Sequence, residues 1–314
     1  MIKRRSVLLA GLFGLAGCSA PGYDGPDRDV VIAAGERGGL YLAFAELLAA
    51  EVTRVAPGLR ARALSTEGSV ANANLLANGQ AQLALMLADS AQAANAGQAP
   101  FAEPRPLMAI GRVYENYLQL VVRADSPINS LTDLAGRGIS LGAAGSGAAL
   151  VGDRVLAIAN LSPTPRIEHR QLNQAIQGLE SGELDALLWS GGVPTPLIAE
   201  LDSRINIRLL ALDGMLQPLR DNHGAVYDLI QIPPGAYRST RDIPTIGVAN
   251  LLVCHPNLPN DVAEAITSVL VEGSDRLVPQ QAVGAQFLDI RALIATAGIP
   301  LHPGAANAYR RLHG

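Results

Sequence analysis

Glycines and serines hold most of the chemical promise of this chain, gathered at four points where an apolar run gives way to an amphipathic one. They are Gly38-Gly39, Ser65 to Ser69, Gly145 to Gly147 and Gly191-Gly192. A turn of this kind, opening a helix at the end of a strand, presents unpaired backbone N–H groups with the positive end of the helix dipole behind them. It holds an anion without any lysine. One such turn is equally well explained as a tight bend. Four at corresponding places point to a cleft lined with backbone donors at the carboxyl ends of strands.

Covalent and metal chemistry find little support. Gly145-Ser146-Gly147 has Ala144 before its serine, one residue short of a nucleophile elbow, and Leu150 stands where a dinucleotide fingerprint needs its last glycine. No H-E-x-x-H or C-x-x-C spacing occurs, and the histidines, His169, His223, His255, His302 and His313, are unpaired at ligand spacing. His302, before Pro303, reads as a structural turn residue. Lys3 is the only lysine, which removes Schiff-base and Walker-type phosphate chemistry from the body of the protein. Carboxylate pairs suited to glycoside hydrolysis leave no sign in the spacing. No catalytic residue, metal ligand or cofactor is expected, and the chain does not read as an enzyme.

The elements that must hold the four turns follow from periodicity. Val30 to Ala34 is a strand, and Leu40, Phe44, Leu47, Leu48, Val52 and Val55 mark one helix face after it. A strand over 59–64 leads into the serine turn and a helix, and Leu83 to Ala88 is continuously apolar, as a strand covered on both faces must be. Further strands are expected over 107–113 and 116–122, followed by a capped helical turn at Ser130 to Asp133. The pattern then restarts: strand 139–142, glycine turn, helix 148–159. Leu76 to Leu85 and Leu179 to Leu188 overlay with a shared leucine and glycine, each reading as helix end, glycine stop, strand. Later come a strand ending at Trp189, a helix, strands over 205–212 and 245–254, and helices over 259–277, 284–297 and 303–312.

Fold class is therefore α/β in two similar lobes, each a central sheet flanked by helices, joined by a two-stranded hinge near 116–123 and 246–253. Residues 30–118 and 250–314 form the first lobe, and 119–249 the second. The length of 314 residues suits two lobes, and 49% hydrophobic against 17% charged residues excludes a disordered chain. A net charge of −4 leaves no basic face for nucleic acid.

At the amino end Lys3, Arg4 and Arg5 precede an apolar run from Val7 to Ala16, too short to span a bilayer, which closes on Leu15-Ala16-Gly17-Cys18. That ending resembles a bacterial lipobox. It makes 1–17 a signal peptide, Cys18 the lipid-bearing mature N-terminus and 18–29 a tether to the outer face of the cytoplasmic membrane. Arg4-Arg5-Ser6-Val7-Leu8 also resembles a twin-arginine export signal. Removing 1–17 takes the charge from −4 to −7. Cys254 is then the one cysteine of the folded body and reads as a small buried apolar residue.

With these motifs in order, the chain resembles the TAXI group of TRAP-transporter solute receptors, extracytoplasmic binding proteins of the type II two-lobed architecture. The likeness spans nearly all of the mature chain. It rests on Gly38-Gly39-Leu40-Tyr41, Ser65 to Asn72, Leu76 to Asp89, Asp133 to Arg137, Gly145-Ser146-Gly147, Gly191-Gly192-Val193-Pro194, Ile232 to Tyr237 and Leu301 to Ala305. It implies a receptor, monomeric, that captures a small anionic solute, an amino acid such as glutamate or another carboxylate, and delivers it to TRAP membrane permease subunits. A ligand-sensing lipoprotein for a membrane kinase and an exported α/β enzyme are the alternatives.

By position the resemblance lines the cleft with Gly39, Tyr41, Ser65, Thr66, Ser69, Asp89, Gly145, Ser146, Gly147 and Gly192. Tyr41 would be an aromatic wall with a phenolic donor, the three hydroxyls neutral donors, and the Ser146 and Gly147 amides the anion cradle. Trp189 is a further wall residue or a core one. The chain departs from the family pattern at Leu42, Leu87, Ala88 and Ala148, each a lost hydrogen-bonding side chain. These losses imply a less polar carboxylate, or an amino acid held with help from Arg37 or Arg112.

Overall fold

The apolar runs become the strands of one mixed sheet, and the amphipathic stretches cover it. The structure is a computed structural model that describes residues 23–279, 288 and 290–313. The expected signal peptide, Cys18, the first part of the tether and the start of the helix expected over 284–297 lie outside the described residues.

The first lobe opens with β1 (Arg28–Ala33), α1 (Leu40–Val55), β2 (Leu59–Leu64), α2 (Ser69–Ala77), β3 (Leu83–Leu87) and α3 (Ala88–Ala96). Its strands pair in parallel, β2 with β1 and β1 with β3. All five residues of β3 are buried, as helices on both faces require. Next comes β4 (Met108–Arg123), a single strand of 16 residues where the sequence suggested two. Tyr114 and Glu115 carry the ladder on, opposite Asn250 and Ala249, and a register shift between Asn250 and Leu251 bends the strand instead of ending it.

The second lobe holds β5 (Gly138–Ser140), α4 (Gly147–Ala159), β6 (Arg166–Glu168), α5 (Leu172–Ser181), β7 (Ala186–Gly191), α6 (Pro196–Ile205), β8 (Ile207–Leu210), α7 (Leu216–His223) and β9 (Tyr227–Ile232). Ser130 and Asp133 form the capping box their spacing implies. The chain returns through β10 (Ile243–Cys254) and closes the first lobe with α8 (Asn260–Glu272), α9 (Ile290–Leu293) and α10 (Pro303–His313). The helix expected to 277 stops at Glu272 because Gly273 ends it, and a short 3-10 turn follows. Neither α7 nor β9 was anticipated.

Strand order is β2-β1-β3-β10-β4-β7-β5-β6, with β8 on β4 and β9 on β10. The two long antiparallel strands serve both lobes. Asn250 to Cys254 of β10 pair with β3, while Ile243 to Val248 pair with β9. Likewise Met108 to Tyr117 of β4 pair with β10, and Tyr117 to Val122 with β7. The strands cross between lobes near Tyr117 and Gly247, as the hinge expectation implied. One apolar cluster packs inside lobe one around Phe44, Leu48, Leu85 and Ile110. Another fills lobe two around Ile176, Leu187 and Ile198. A third, with Met86, Leu120, Val151 and Leu188, runs through both.

The overlaid stretches have one conformation: Gly79 and Gly182, at φ +70° and +81°, end α2 and α5 and lead into β3 and β7. Only glycine adopts that left-handed turn at little cost. His302 is buried, and its Nδ1 accepts the Gly304 N–H at 3.2 Å at the start of α10, which is the structural role expected of it. Cys254 is fully buried, and burial pushes its thiol up to about 12. Among the described residues no helix is long and apolar enough to cross a membrane.

Candidate ligand-binding cleft

The turns after β1 and β2 in lobe one meet those after β5 and β7 in lobe two around a small cavity of about 50 Å³ that is partly open to solvent. Gly39, Leu40 and Tyr41 line it from α1, Glu67, Gly68 and Ser69 from the start of α2, Ser146, Gly147 and Ala148 from α4, and Trp189 from β7. Among the described residues no Arg, Lys or His lines it, while two carboxylates, Glu36 and Glu67, do.

Two helices open into this space with amides to spare. α1 begins after Gly39, which makes no side-chain cap, and the Leu40 and Tyr41 N–H groups have no acceptor among the described residues. α4 is capped by Ser146, whose Oγ accepts the Ala149 N–H at 3.0 Å. Among the described residues the Gly147 and Ala148 N–H groups also have no acceptor. Four donors and two dipole ends therefore converge on one cavity, a setting that attracts negative charge.

Two other helix starts are occupied by the protein itself. The Val70 and Ala71 N–H groups of α2 both donate to the Gly145 carbonyl of the opposite lobe, at 3.0 and 3.1 Å. The Leu172 N–H of α5 donates to Glu36 Oε2 at 2.8 Å, again across the cleft. α6 offers no cradle, since Pro196 at its first position lacks an N–H and the Thr195 N–H donates to the Tyr237 hydroxyl.

Side chains crossing the hinge strands make the floor. The Tyr41 hydroxyl donates to Asn250 Oδ1, Asn250 Nδ2 to Asn116 Oδ1 at 2.8 Å, and Asn116 Nδ2 to the Ser190 carbonyl at 3.2 Å. The relay runs from α1 through β10 and β4 to β7. Burial raises the Tyr41 phenol, so the group stays a protonated donor. Its proton is committed to Asn250. Beside the cavity a buried ion pair ties the lobes: Arg154 Nη1 of α4 lies 3.0 Å from Asp89 Oδ2 of α3 and donates to the Tyr227 hydroxyl at 2.8 Å. Tyr227 in turn donates to Asp89.

The sequence model of the NMT1-like family matches residues 32–311, almost the whole described chain. The chain belongs to the NMT1-like family. Solved structures share its fold at low identity. MatC of Rhodopseudomonas palustris, solved with bound malate, is 15% identical, with 91% of this chain and 98% of that one covered at a TM-score of 0.59. The periplasmic binding protein BugD is 14% identical, with 91% and 95% covered at 0.57. An L-cystine ABC transporter protein of Listeria monocytogenes is 13% identical, with 82% and 97% covered at 0.51. The two-lobed architecture expected from the sequence is the architecture of these periplasmic binding proteins.

In this NMT1-like chain the expected site residues divide. Gly39, Tyr41, Ser69, Ser146, Gly147 and Trp189 line the cavity. Five others do not. Ser65 donates to the Gly35 carbonyl and Thr66 to Asn72 Oδ1, so both hydroxyls brace the β2–α2 turn and border a neighbouring depression. Asp89 is enclosed by Arg154 and Tyr227. Gly145 supplies its carbonyl to α2 and faces an outer groove. Gly192 lies so close to Leu40 that a Cβ there would stand 1.9 Å from Leu40 Cδ1. Of the two arginines offered as helpers, Arg37 borders the neighbouring depression and Arg112 is paired with Glu115.

Sequence reasoning missed Glu36, Glu67 and Asn116. Glu36 carried a usable signal, an acidic residue inside a glycine turn at a strand end. Asn116 carried none, since its place at the hinge crossing depends on β4 running unbroken. Among the departures, Leu87 and Ala148 line the cavity, and a Cβ on Gly147 would stand 2.6 Å from Leu87 Cδ1. Among the described residues no three His, Cys, Asp or Glu side chains gather as a metal site.

Proposed function

We propose that this protein is an extracytoplasmic receptor of the TAXI group, which captures a small anionic solute, an amino acid or carboxylate, between its lobes and presents it to a TRAP-type membrane transporter. The observation that carries the reading is the pair of open helix N-termini, α1 from one lobe and α4 from the other, on one shared cavity. An anionic group there takes backbone donors from both lobes at once, so the closed form binds it best, and closure is the signal a transporter can recognise. The lobe crossing near Tyr117 and Gly247 supports hinge bending over the boundaries 30–118 with 250–314 and 119–249. The motifs from Gly38 to Ala305 support the TAXI assignment. A lipid on Cys18 would hold the receptor at the outer face of the cytoplasmic membrane.

The test is thermal denaturation of the purified chain against amino acids, dicarboxylates and short hydroxy or keto acids. At a hundredfold excess over Kd a specific solute adds about 2.7 kcal/mol. A rise confined to one acid class is expected, with scattering showing compaction on saturation. A flat response across every class, or binding with an unchanged radius, overturns the reading.

A further inference from the structure

The turn after β1 sets one acidic side chain, Glu36, against both lobes and the cavity together. The residue is 9% exposed and lines the cavity. Its Oε2 accepts the N–H of Leu172, the first residue of the ten-residue α5, whose N-cap Gln171 makes no side-chain cap of its own. A carboxylate there completes the helix end and meets the positive end of its dipole. The two residues belong to different lobes, so the bond exists only while the lobes are together. Among the described residues the other oxygen, Oε1, is buried with no partner within hydrogen-bond distance, the Ala143 N–H acting on the carboxylate only from beyond that reach. Trp189, 8% exposed on the same cavity, has a matching loose end in its buried Nε1–H. A cavity with one unmet acceptor, one unmet donor and four free amides suits a solute that both accepts and donates.

We propose that Glu36 is the closing latch of the cleft, and that the captured solute carries an ammonium or hydroxyl donor which Oε1 accepts. The latch stands on the Leu172 bond alone; the solute donor rests on the receptor reading above. The groups facing Glu36 set the sign of its response to pH. Burial raises its carboxyl above the ordinary value, the Leu172 N–H draws it down, Glu67 on the facing turn raises it, and the Ala143 amide lowers it. Arg37, next in the chain, borders the neighbouring depression together with Glu36 and Glu67. In an open cleft the carboxyl is solvated and ordinary. A raised value in the closed form means that protons bind the closed form more tightly, so closure strengthens as pH falls toward the ordinary value and weakens toward neutrality. A solute donor on Oε1 offsets that weakening by giving the ionised oxygen its missing partner.

Glutamine separates the two roles, having one acceptor oxygen and one amide donor. With its oxygen on the Leu172 N–H, its NH2 stands in place of Oε1 and meets a solute donor with another donor. The experiment places spin labels on R62C and Q177C, exposed positions on β2 and α5, in the full chain with C18S, and measures the inter-lobe distance without solute at pH 5 and pH 8. The wild type should close at least threefold more at pH 5, E36Q should close equally at both, and E36A should stay open. Closure of E36A like the wild type, or a wild-type pH response in E36Q, overturns the latch.

The second arm titrates wild type and E36Q with alanine, lactate and propionate, and with glutamate, 2-hydroxyglutarate and glutarate. Each trio shares a skeleton and differs in ammonium, hydroxyl or hydrogen at Cα. The wild type should prefer the substituted acids of one trio tenfold or more, and E36Q should lose that preference. Equal wild-type binding of the unsubstituted acid overturns the donor requirement. If none of the six binds the wild type, the donor requirement falls, the broader acid panel decides the receptor reading, and the distance measurement still decides the latch.

Discussion

The helix starts α1 and α4 end on open space, while α2, built from the same kind of turn, and α5, which follows His169-Arg170-Gln171, end on oxygens of the opposite lobe. The Gly145 carbonyl fills the first of the occupied pair and the Glu36 carboxylate the second. The open pair has no such partner and shares the cavity. A turn that can hold an anion is thus a local property, whereas the identity of its occupant is set by what the fold brings opposite. The occupied pair ties one lobe to the other directly, whereas the open pair leaves its amides to the cavity, where the proposed receptor would place its solute. Division of labour of this kind needs no lysine or arginine in the cavity, and among the described residues none lines it.

The strongest challenge to this contrast is to cut the tie beside the occupied pair. R154M leaves the fully buried Asp89 carboxylate without its counter-charge, with only the Tyr227 and Ser90 hydroxyls to bond it. Removing one partner of a buried pair costs about 3–5 kcal/mol. Urea denaturation should show a loss in that range at neutral pH, and the double variant D89N/R154M should recover part of it. A loss below about 1 kcal/mol would mean that Asp89 is solvated and the lobes are held elsewhere.

Blocking the open pair gives the next largest effect, and on binding rather than folding. In G147A the added Cβ would stand 2.6 Å from Leu87 Cδ1 and 2.7 Å from Ser69 Oγ of the other lobe. Gly147 is the first residue of α4, so alanine suits its local conformation and the clash exists only when the cleft is closed. The variant should melt at or slightly above the wild-type temperature without solute and bind any shifting solute a hundredfold more weakly. Unchanged affinity would show that the solute does not need the lobes to meet at this point.

S146A sharpens the comparison further. Ser146 lines the cavity, yet its hydroxyl already accepts the Ala149 N–H. As a cap its loss should cost about 1 kcal/mol of stability and leave solute selectivity alone. A selectivity change exceeding the stability change would return the hydroxyl to the solute.

How much of this was legible follows from the range of each signal. The strand, turn and helix rhythm and the glycine stops at Gly79 and Gly182 are local patterns, and the structure keeps them; the long strands expected near 116–123 and 246–253 run through both halves of the sheet. Ser65, Thr66 and Asp89 lie beside this cavity and not on it, because the same polar groups satisfy turns and ion pairs as readily as ligands, and only the fold shows that Gly35, Asn72 and Arg154 stand next to them. β4 was divided in two because Glu115 and Asn116 interrupt the apolar pattern; the long antiparallel pairing with β10 overrides it. At Glu36 the acid in a glycine turn was a usable local signal, but its partner Leu172, 136 residues away, was not legible.

Trp189 gives the smallest test and the one that most directly concerns the open pair. Its ring stands over Gly39, where an added Cβ would be 3.8 Å from Cζ2, and it closes one wall of the cavity with an Nε1–H that has no hydrogen-bond partner among the described residues. A buried donor left unmet destabilises the empty form, so removing it should do no harm there. W189F keeps an aromatic wall and deletes the donor. The empty variant should be as stable as the wild type or slightly more so, and solute affinity should fall by about 0.5 to 1 kcal/mol if the indole N–H completes the ring of donors around the anionic group. Calorimetric titration of both forms with one solute reads the difference. Should W189F instead destabilise the empty protein by more than about 2 kcal/mol, the indole belongs to the packing of lobe two, where Leu187 and Ile198 surround it in the same apolar cluster, and the solute's donors come from the backbone alone.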